Sequence, residues 1–435
     1  MENDSRIKFK EFREVSGKKA FLSNEKYLSK KSKRFASYFN RISKKVKNQI
    51  TKDYYIISNN KKEYSDPKIK RARNPSIDLV RIIVMFNIVM VHYFYYGKVE
   101  KRFPKYIRQF NLINCFIDYH NDAFILLSGI VGYKSYKYSN LLYLWLTVFF
   151  YSVGIHYFYT YIAKGFIIKQ DIFKELFPIV FRRYWFFTSY FGMYLFLPII
   201  NKGIEYAAKN ELRTVIITLH FMFEFWRDYK NPGDDIFVLS VGASITWFIL
   251  LYLTGAYIGK YNINYFGIKK FIYCLVCLFL FLISTFLFFK KSVHEFYLKI
   301  GNIKIKFPFI LKRIVTGRYD SLVKVTQSIA VILLCLQIHF NKYLAKIICF
   351  FGPLVFGVYL IHMHNLVKRN IVIPMFNHYP ADLSLNFIMK LILIKSFKLF
   401  IICIFIDYLR NLLFAFLRIK NLLIFIELKI KEKFY

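Results

Sequence analysis

Long apolar runs dominate the chain from residue 77 onward, and polar residues gather between them. The runs are about 17–22 residues long, which suits α-helices that cross the hydrocarbon core of a bilayer. The pattern therefore predicts an all-α fold, a polytopic membrane helical bundle of about ten transmembrane helices. The predicted spans lie near 77–96, 112–133, 141–163, 184–200, 212–226, 236–259, 271–289, 322–340, 345–364 and 388–409.

Composition and charge agree with a membrane protein and define its two ends. Of the 435 residues, 56% are hydrophobic, and a formal net charge of +39 cannot be buried in a bilayer. Residues 1–74 hold 22 Lys/Arg against 8 Asp/Glu. They predict a basic, largely disordered cytoplasmic tail that contacts membrane lipid rather than nucleic acid. Residues 75–409 form the predicted membrane domain, and residues 410–435 form a basic amphipathic C-terminal helix.

The first predicted span carries ionisable residues where a membrane helix normally has none. Asp78, Arg81 and His92 all lie within it, and such groups are costly in a bilayer unless they are paired or face a cavity. Arg81 and His92 lie about 20° from the same helix face and about 16 Å apart along the axis. Asp78 precedes Arg81 by three residues and can pair with it. This face is either a functional site or a packing surface for a histidine beside interfacial tyrosines.

Five sequence motifs, taken in order, resemble the acyltransferase 3 family of integral membrane acyltransferases. The first is the pattern of Asp78, Arg81 and His92, with ten residues between Arg81 and His92. The resemblance covers about residues 74–409 and implies a membrane acyltransferase, for which about ten spans are usual. The other four motifs are FILLSG at 124–129, YWFFTSYFGMYLFLPIIN at 184–201, TWFILLYLTGAYIGK at 246–260 and GVYLIH at 357–362.

The resemblance implies chemical roles for the first span. Acyl transfer from a thioester to a hydroxyl needs a base for the acceptor proton. That role is implied for His92, because an imidazole titrates near neutrality. Arg81 is implied to contact the phosphates or pantetheine of an acyl-CoA, with Asp78 orienting its guanidinium. The helix dipole also favours an acid near a helix N-terminus, which is the alternative explanation for Asp78.

The other motifs supply further candidates for substrate binding. Ser128 lies before a glycine, and a small-residue helix contact explains this pair equally well. Trp185 and Tyr194 are candidates for lining the acyl or acceptor pocket, with aromatic packing at the membrane interface as the alternative. Tyr359 and His362 belong to the GVYLIH motif and complete the predicted site.

Two stretches depart from what the family resemblance implies. Asp118, His120 and Asp122 imitate a metal-binding cluster, but the family uses no metal, so no metal site is predicted. The basic pair that often follows the second span in the family is reduced here to Lys134 and Lys137. Which residues contact the acyl-CoA on that side is therefore left open.

The predicted function is that of an O-acyltransferase moving an acyl group, expected to be acetyl, from acetyl-CoA to a hydroxyl of a glycan or lipid-linked sugar. The repeated apolar runs predict a multi-pass membrane protein, and the basic tail predicts that its N-terminus is cytoplasmic. The expected location is the plasma membrane. The alternative is a lipid-linked glycan flippase or exporter, which would scatter cavity-facing charges over many helices and show two similar halves. Polar residues instead concentrate in the first span and at 118–128 and 357–364, which favours one reaction site.

Overall fold

The first span is a single helix whose start is set by its own sequence. In the computed structural model, α1 comprises Pro75–Tyr96, and Asn74 caps it by accepting a hydrogen bond from the Ser76 N–H at 2.9 Å. Proline suits the first helical position, because an N–H there would have no partner within the helix. The helix ends at Gly97, whose N–H donates to the carbonyl of Tyr93 at 3.0 Å.

The structure describes residues 73–434, except 135, 164–171, 231–234, 262–269, 293–296, 301–302, 307–317 and 381. Most of the predicted basic tail, residues 1–72, lies outside the described residues. The described chain is helical apart from a short antiparallel hairpin of β1 (Tyr297–Ile300) and β2 (Ile303–Lys306). Apart from α-helical segments of three or four residues and short 3₁₀- and π-helical turns, the described helices after α1 are α2 (Ile107–Ile117), α3 (His120–Gly132), α4 (Tyr138–Tyr157), α5 (Ile172–Leu176), α6 (Trp185–Tyr206), α7 (Lys209–His220), α8 (Ile245–Lys260), α9 (Lys270–Ser292), α10 (Leu322–Leu336), α11 (Lys342–Phe351), α12 (Val355–Met363), α13 (Leu385–Phe416) and α14 (Ile419–Phe434).

Four helical segments in the described chain are long and apolar enough to cross a membrane, judged by length and composition. α8 and α10 are apolar but shorter. A helical membrane bundle is therefore supported, whereas the predicted number of ten spans is not confirmed. The four segments are Pro75–Tyr96, Tyr138–Ile162, Lys270–Lys290 and Lys342–Met363, of which the last joins α11 and α12 through a short 3₁₀ turn.

Two predicted spans differ from the helices that form. The span predicted at 112–133 is divided into α2 and α3, because the chain leaves helical geometry at Asp118 (φ −88°, ψ 25°). The span predicted at 236–259 becomes helical only at Ile245, where Ser244 caps α8 by accepting from the Trp247 N–H at 3.1 Å. Asp118 thus ends one helix and Ser244 starts another, at positions where mean hydropathy alone predicts an uninterrupted span.

The last predicted span also has different limits. α13 continues beyond residue 409 to Phe416, and the chain breaks at Arg418, which adopts a left-handed φ of 51°. The C-terminal helix therefore begins at Ile419 rather than at 410. The polar residues at 407–411 belong to the end of α13, which places them inside the bundle.

α3 and α8 pack with their backbones in direct contact. A Cβ added to Gly255 would lie 2.0 Å from the carbonyl oxygen of Leu126, and one added to Gly129 would lie 2.2 Å from that of Tyr252. Only glycine permits so close an approach, as in other tightly packed membrane helices. This contact supports the packing explanation for the serine–glycine pair at 128–129.

α1 lies among later elements of the chain, since it contacts α2, α3, α10, α11, α12 and α13. Contacts between Asp78 and Gly352 and between His92 and His362 show that α1 runs parallel to the α11–α12 segment. α13 packs on another side, with Phe400 edge-on to Phe86 at 5.8 Å between ring centroids. The polar residues of α1 are thus enclosed by protein.

Candidate active site

A cavity of about 1180 Å³ follows α1 through the bundle. Its lining begins at Arg73, before α1, and reaches Lys98, beyond the end of α1. A helix of 22 residues is about 33 Å long, so the cavity extends along the whole helix. Six of the eight predicted site residues line it, namely Arg81, His92, Ser128, Trp185, Tyr194 and Tyr359.

A buried carboxylate holds Arg81 at one end of this cavity. Asp78 is fully buried, and Arg81 Nη1 donates to its Oδ1 at 2.7 Å. Arg73 Nη2 donates to the same oxygen at 3.0 Å. Gly352 makes room for the group, because a Cβ there would lie 2.4 Å from the Asp78 Cγ. These contacts are the ones expected of a residue that orients Arg81, although Asp78 itself does not line the cavity.

A chain of three hydrogen-bonding groups fixes the orientation of His92. The Nδ1 of His362 lies 2.5 Å from the Val358 carbonyl oxygen, and its Nε2 lies 2.8 Å from the Nδ1 of His92. A carbonyl can only accept, so His362 must carry its proton on Nδ1 and accept on Nε2. The proton between the rings then belongs to His92 Nδ1. The lone pair of His92 is left on Nε2, and the ring borders the cavity.

His362 therefore has a different position from the one predicted for a substrate-binding residue. It is 1% exposed and does not line the cavity. Its connection to the cavity runs through His92. In geometry this resembles the way a carboxylate or carbonyl fixes the tautomer of a catalytic histidine in hydrolases.

The remaining predicted residues border the cavity with different hydrogen bonds. The Ser128 hydroxyl donates to the Phe124 carbonyl in its own helix at 2.9 Å, which occupies its proton. The Tyr194 hydroxyl donates to the Lys137 carbonyl at 3.2 Å. The hydroxyl of Tyr359 is buried and has no hydrogen-bond partner among the described residues. The ring of Tyr359 borders the cavity, and the proton of its hydroxyl is not used by another residue of the described chain.

The acidic stretch between α2 and α3 forms ion pairs and hydrogen bonds within the protein. Asp118 accepts from Lys324 Nζ at 2.6 Å, and Asp122 accepts from Trp247 Nε1 at 3.2 Å. His120 and Asp118 line the cavity near its α2 end. Across the described part of the chain, no group of three or more His, Cys, Asp or Glu side chains is arranged to hold a metal ion.

Among the cavity residues that were not predicted from the sequence, three stand out by their contacts or their position. Tyr319 stacks on Trp185 with 6.2 Å between ring centroids, and nothing in its loop sequence indicated this. Arg410 and Asn411 come from the end of α13. The sequence could have indicated Arg410, because Asp407 precedes it by three residues, which is the spacing of Asp78 and Arg81 in the first span.

In a comparison with protein-family models, residues 74–412 match a model described as an acyltransferase domain. No curated protein and no solved structure matched the chain. The matched region contains the cavity residues of α1, α3, α6, α12 and α13 described above. Because the match covers most of the chain, the protein belongs to the acyltransferase 3 family.

Proposed function

We propose that the protein transfers an acyl group, specifically acetyl from acetyl-CoA, to a hydroxyl group of a glycan or lipid-linked sugar. The observation that carries this proposal is the His92–His362–Val358 hydrogen-bond chain, which leaves one imidazole nitrogen beside a large cavity. A general base needs this arrangement, with one nitrogen fixed and the other available to the reacting hydroxyl.

The reaction follows from this geometry. His92 Nε2 accepts the proton of the acceptor hydroxyl as the oxygen attacks the thioester carbonyl carbon. The new O–C bond forms, the C–S bond breaks, and the leaving CoA sulfur takes the proton from the His92 imidazolium. The unpartnered hydroxyl of Tyr359 supplies a hydrogen-bond donor for the negative charge that develops on the carbonyl oxygen.

The two ends of the cavity suit two different substrates. Arg81 lies about 16 Å along α1 from His92, so a cation there is separated from the base by a distance that an extended pantetheine arm can bridge. The opposite end has aromatic faces at Trp185 and Tyr319 and polar side chains at Asp118 and Asn121. Aromatic faces with nearby amides and carboxylates suit a polyhydroxylated acceptor. The proposal includes a cytoplasmic N-terminus and a location in the plasma membrane. The acyl-CoA donor would then enter from the cytoplasm, beside Arg81.

The test is transfer of radiolabelled acetyl from acetyl-CoA to glycan by membranes that contain the protein. His92→Ala should lower kcat by about 10²–10⁴-fold while CoA binding persists. His364→Gln is the matched control, because His364 is also buried but bonds to the Ser152 carbonyl and the Leu366 N–H. Transfer by folded His92→Ala at the parental rate would refute the proposal and favour the exporter alternative.

A further inference from the structure

The structure repeats one ionic arrangement on two helices that border the cavity. On α1, the buried Asp78 pairs with Arg81 three residues later. On α13, the buried Asp407 pairs with Arg410 three residues later, with Nη2–Oδ1 at 2.7 Å and Nη2–Oδ2 at 2.9 Å. Both aspartates are fully buried, and both arginines line the cavity.

The same segment of the chain accommodates both carboxylates. A Cβ on Gly352 would lie 2.4 Å from the Asp78 Cγ, and one on Gly357 would lie 2.2 Å from the Asp407 Cγ. Two glycines five residues apart thus let α1 and α13 each place a carboxylate directly against the α11–α12 segment. The two ion pairs therefore also resemble each other in that each carboxylate packs against a glycine of the same segment.

The two arginines lie near the same end of the cavity, on helices that run in opposite directions. α1 runs parallel to α12, whereas α13 starts near the end of α1, since Phe387 packs on Tyr379 and Phe376 packs on Gly97. Gly352 and Gly357 are about 7.5 Å apart along the axis. Each arginine lies about 4.5 Å from its aspartate along its own helix, and the two displacements point towards each other. Each guanidinium group stays beside the carboxylate to which it bonds at 2.7 Å, so the two groups are offset along the cavity by about the separation of the two glycines.

Both guanidinium groups keep donors available. Arg81 uses Nη1 alone for its bond to Asp78, so most of its five N–H groups have no partner within the described chain. Arg410 is more fully used, with Nε and Nη2 on Asp407 and one Nη1 hydrogen on the Tyr143 hydroxyl at 2.9 Å. Its second Nη1 hydrogen has no partner in the same described region. Each arginine is held rigidly and still has a hydrogen to offer.

The charge at this end of the cavity matches a doubly charged anion. Four basic side chains line it there and two buried carboxylates, Asp78 and Asp407, pair with them, which leaves a net charge of about +2. A diphosphate carries about two negative charges, one on each phosphate. The two lysines after α3, by contrast, do not line the cavity. The four basic residues are Arg73, Arg81, Arg410 and Lys420.

We propose that Arg81 and Arg410 form a two-sided clamp on the diphosphate of the acyl-CoA donor. Planar guanidinium groups fixed by carboxylates are suited to charge-assisted bonds with phosphate oxygens. Arg410 thereby supplies a cation on the side where Lys134 and Lys137 do not reach the cavity. This assignment rests on the proposed use of acyl-CoA and adds a phosphate-binding residue from the end of α13.

The experiment compares three thioester donors with the full chain in nanodiscs of phosphatidylcholine, a lipid without net charge. Acetyl-CoA and 3′-dephospho-acetyl-CoA both contain the diphosphate, whereas acetyl-pantetheine contains no phosphate. Arg410→Gln should raise KM by about 10–100-fold for the first two donors, as expected for a lost charge-assisted hydrogen bond. It should leave kcat/KM for acetyl-pantetheine at the parental value.

Two further variants separate binding from folding. The double variant Asp407→Asn, Arg410→Gln leaves no unpaired buried charge and should show the same dependence on donor. Lys134→Gln is the matched control, because Lys134 is exposed and lies outside the cavity, and it should leave every KM unchanged.

The outcomes decide between the clamp and its alternatives. An equal loss with acetyl-pantetheine would show a structural role for Arg410 and overturn the clamp. A loss with acetyl-CoA but not with its 3′-dephospho form would place Arg410 at the 3′-phosphate and also overturn it. A loss that appears only after anionic lipid is added would assign Arg410 to a lipid headgroup. Absence of transfer from all three donors by the parental protein would instead refute the proposed function.

Discussion

Replacement of His362 tests whether the hydrogen-bond chain behind His92 has a chemical role. His362→Ala removes the acceptor for the His92 Nδ1 proton, a bond of 2.8 Å between two rings enclosed by the bundle. Without it, the imidazole is free to rotate and to move its proton to the nitrogen that should act as the base. His362 is thus a positioning residue in the proposed mechanism.

The expected magnitude follows from the bond that is lost. A net hydrogen bond of this kind contributes about 0.5–1.5 kcal/mol, and a buried donor left without a partner costs about 1–3 kcal/mol. A barrier increase of about 1.4–2.8 kcal/mol lowers kcat by about 10–100-fold. This is less than the loss expected for His92→Ala, because the base itself is still present.

Steady-state acetyl transfer by purified protein measures the effect. For His362→Ala, kcat should fall while the KM for acetyl-CoA stays at the parental value, since the His362 ring does not line the cavity. His362→Gln should recover part of kcat, because a side-chain amide oxygen can accept from His92 Nδ1. His364→Gln should leave kcat unchanged. A folded His362→Ala protein with parental kcat, or equal losses for the alanine and glutamine variants, would refute the role of the chain.

Three other outcomes follow from the structure. Tyr359→Phe should lower kcat by about 10²-fold or more without raising the KM for acetyl-CoA, if its unpartnered hydroxyl meets the oxyanion; an unchanged kcat would contradict this. Gly255→Ala should destabilise the protein in detergent by about 1–3 kcal/mol, because its Cβ would meet a backbone carbonyl. Gly154→Ala, whose Cβ would meet nothing within 4 Å, should leave the melting temperature equal or higher. Burial opposes ionisation of Glu427, but hydrogen bonds from Ser139 and Lys431 lower its pKa to about 2. Since the unfolded value is about 4.3, this contact stabilises the docking of α14 above about pH 4 and is lost only as the pH falls towards 2. Proteolytic protection of α14 should therefore be equal at pH 5 and pH 8 and lower at both in Glu427→Gln.

The first span shows how much of the site local spacing can predict. Asp78 and Arg81 are three residues apart on one helix, so their pairing follows from helical geometry alone. The enclosure of His92 follows from the cost of a titratable group in lipid. The identity of its partner does not, because His362 is 270 residues away and only the packing of α12 on α1 brings the rings together.

The errors in the predicted spans have a common physical cause. Averaged hydropathy hides single residues that cap or interrupt a helix, such as Asp118 between α2 and α3 and Ser244 before α8. The second arginine was missed for a related reason. The predicted boundary at 409/410 separated Asp407 from Arg410, whereas α13 carries both within the bundle.

The contacts of α1 also set conditions on how the protein is made. His92 meets a residue synthesised 270 positions later, which at about 5–20 residues per second leaves α1 without that partner for about 15–50 s. During this interval Asp78 can already pair with Arg73 and Arg81, because all three lie within nine residues, and this lowers the net charge of the segment to +1. The charged end of the helix can thus be paired early, whereas the imidazole has no His362 partner until α12 has been made. Late arrival of α12 therefore completes the site, and a ribosome that stops before it would leave an inserted but inactive protein.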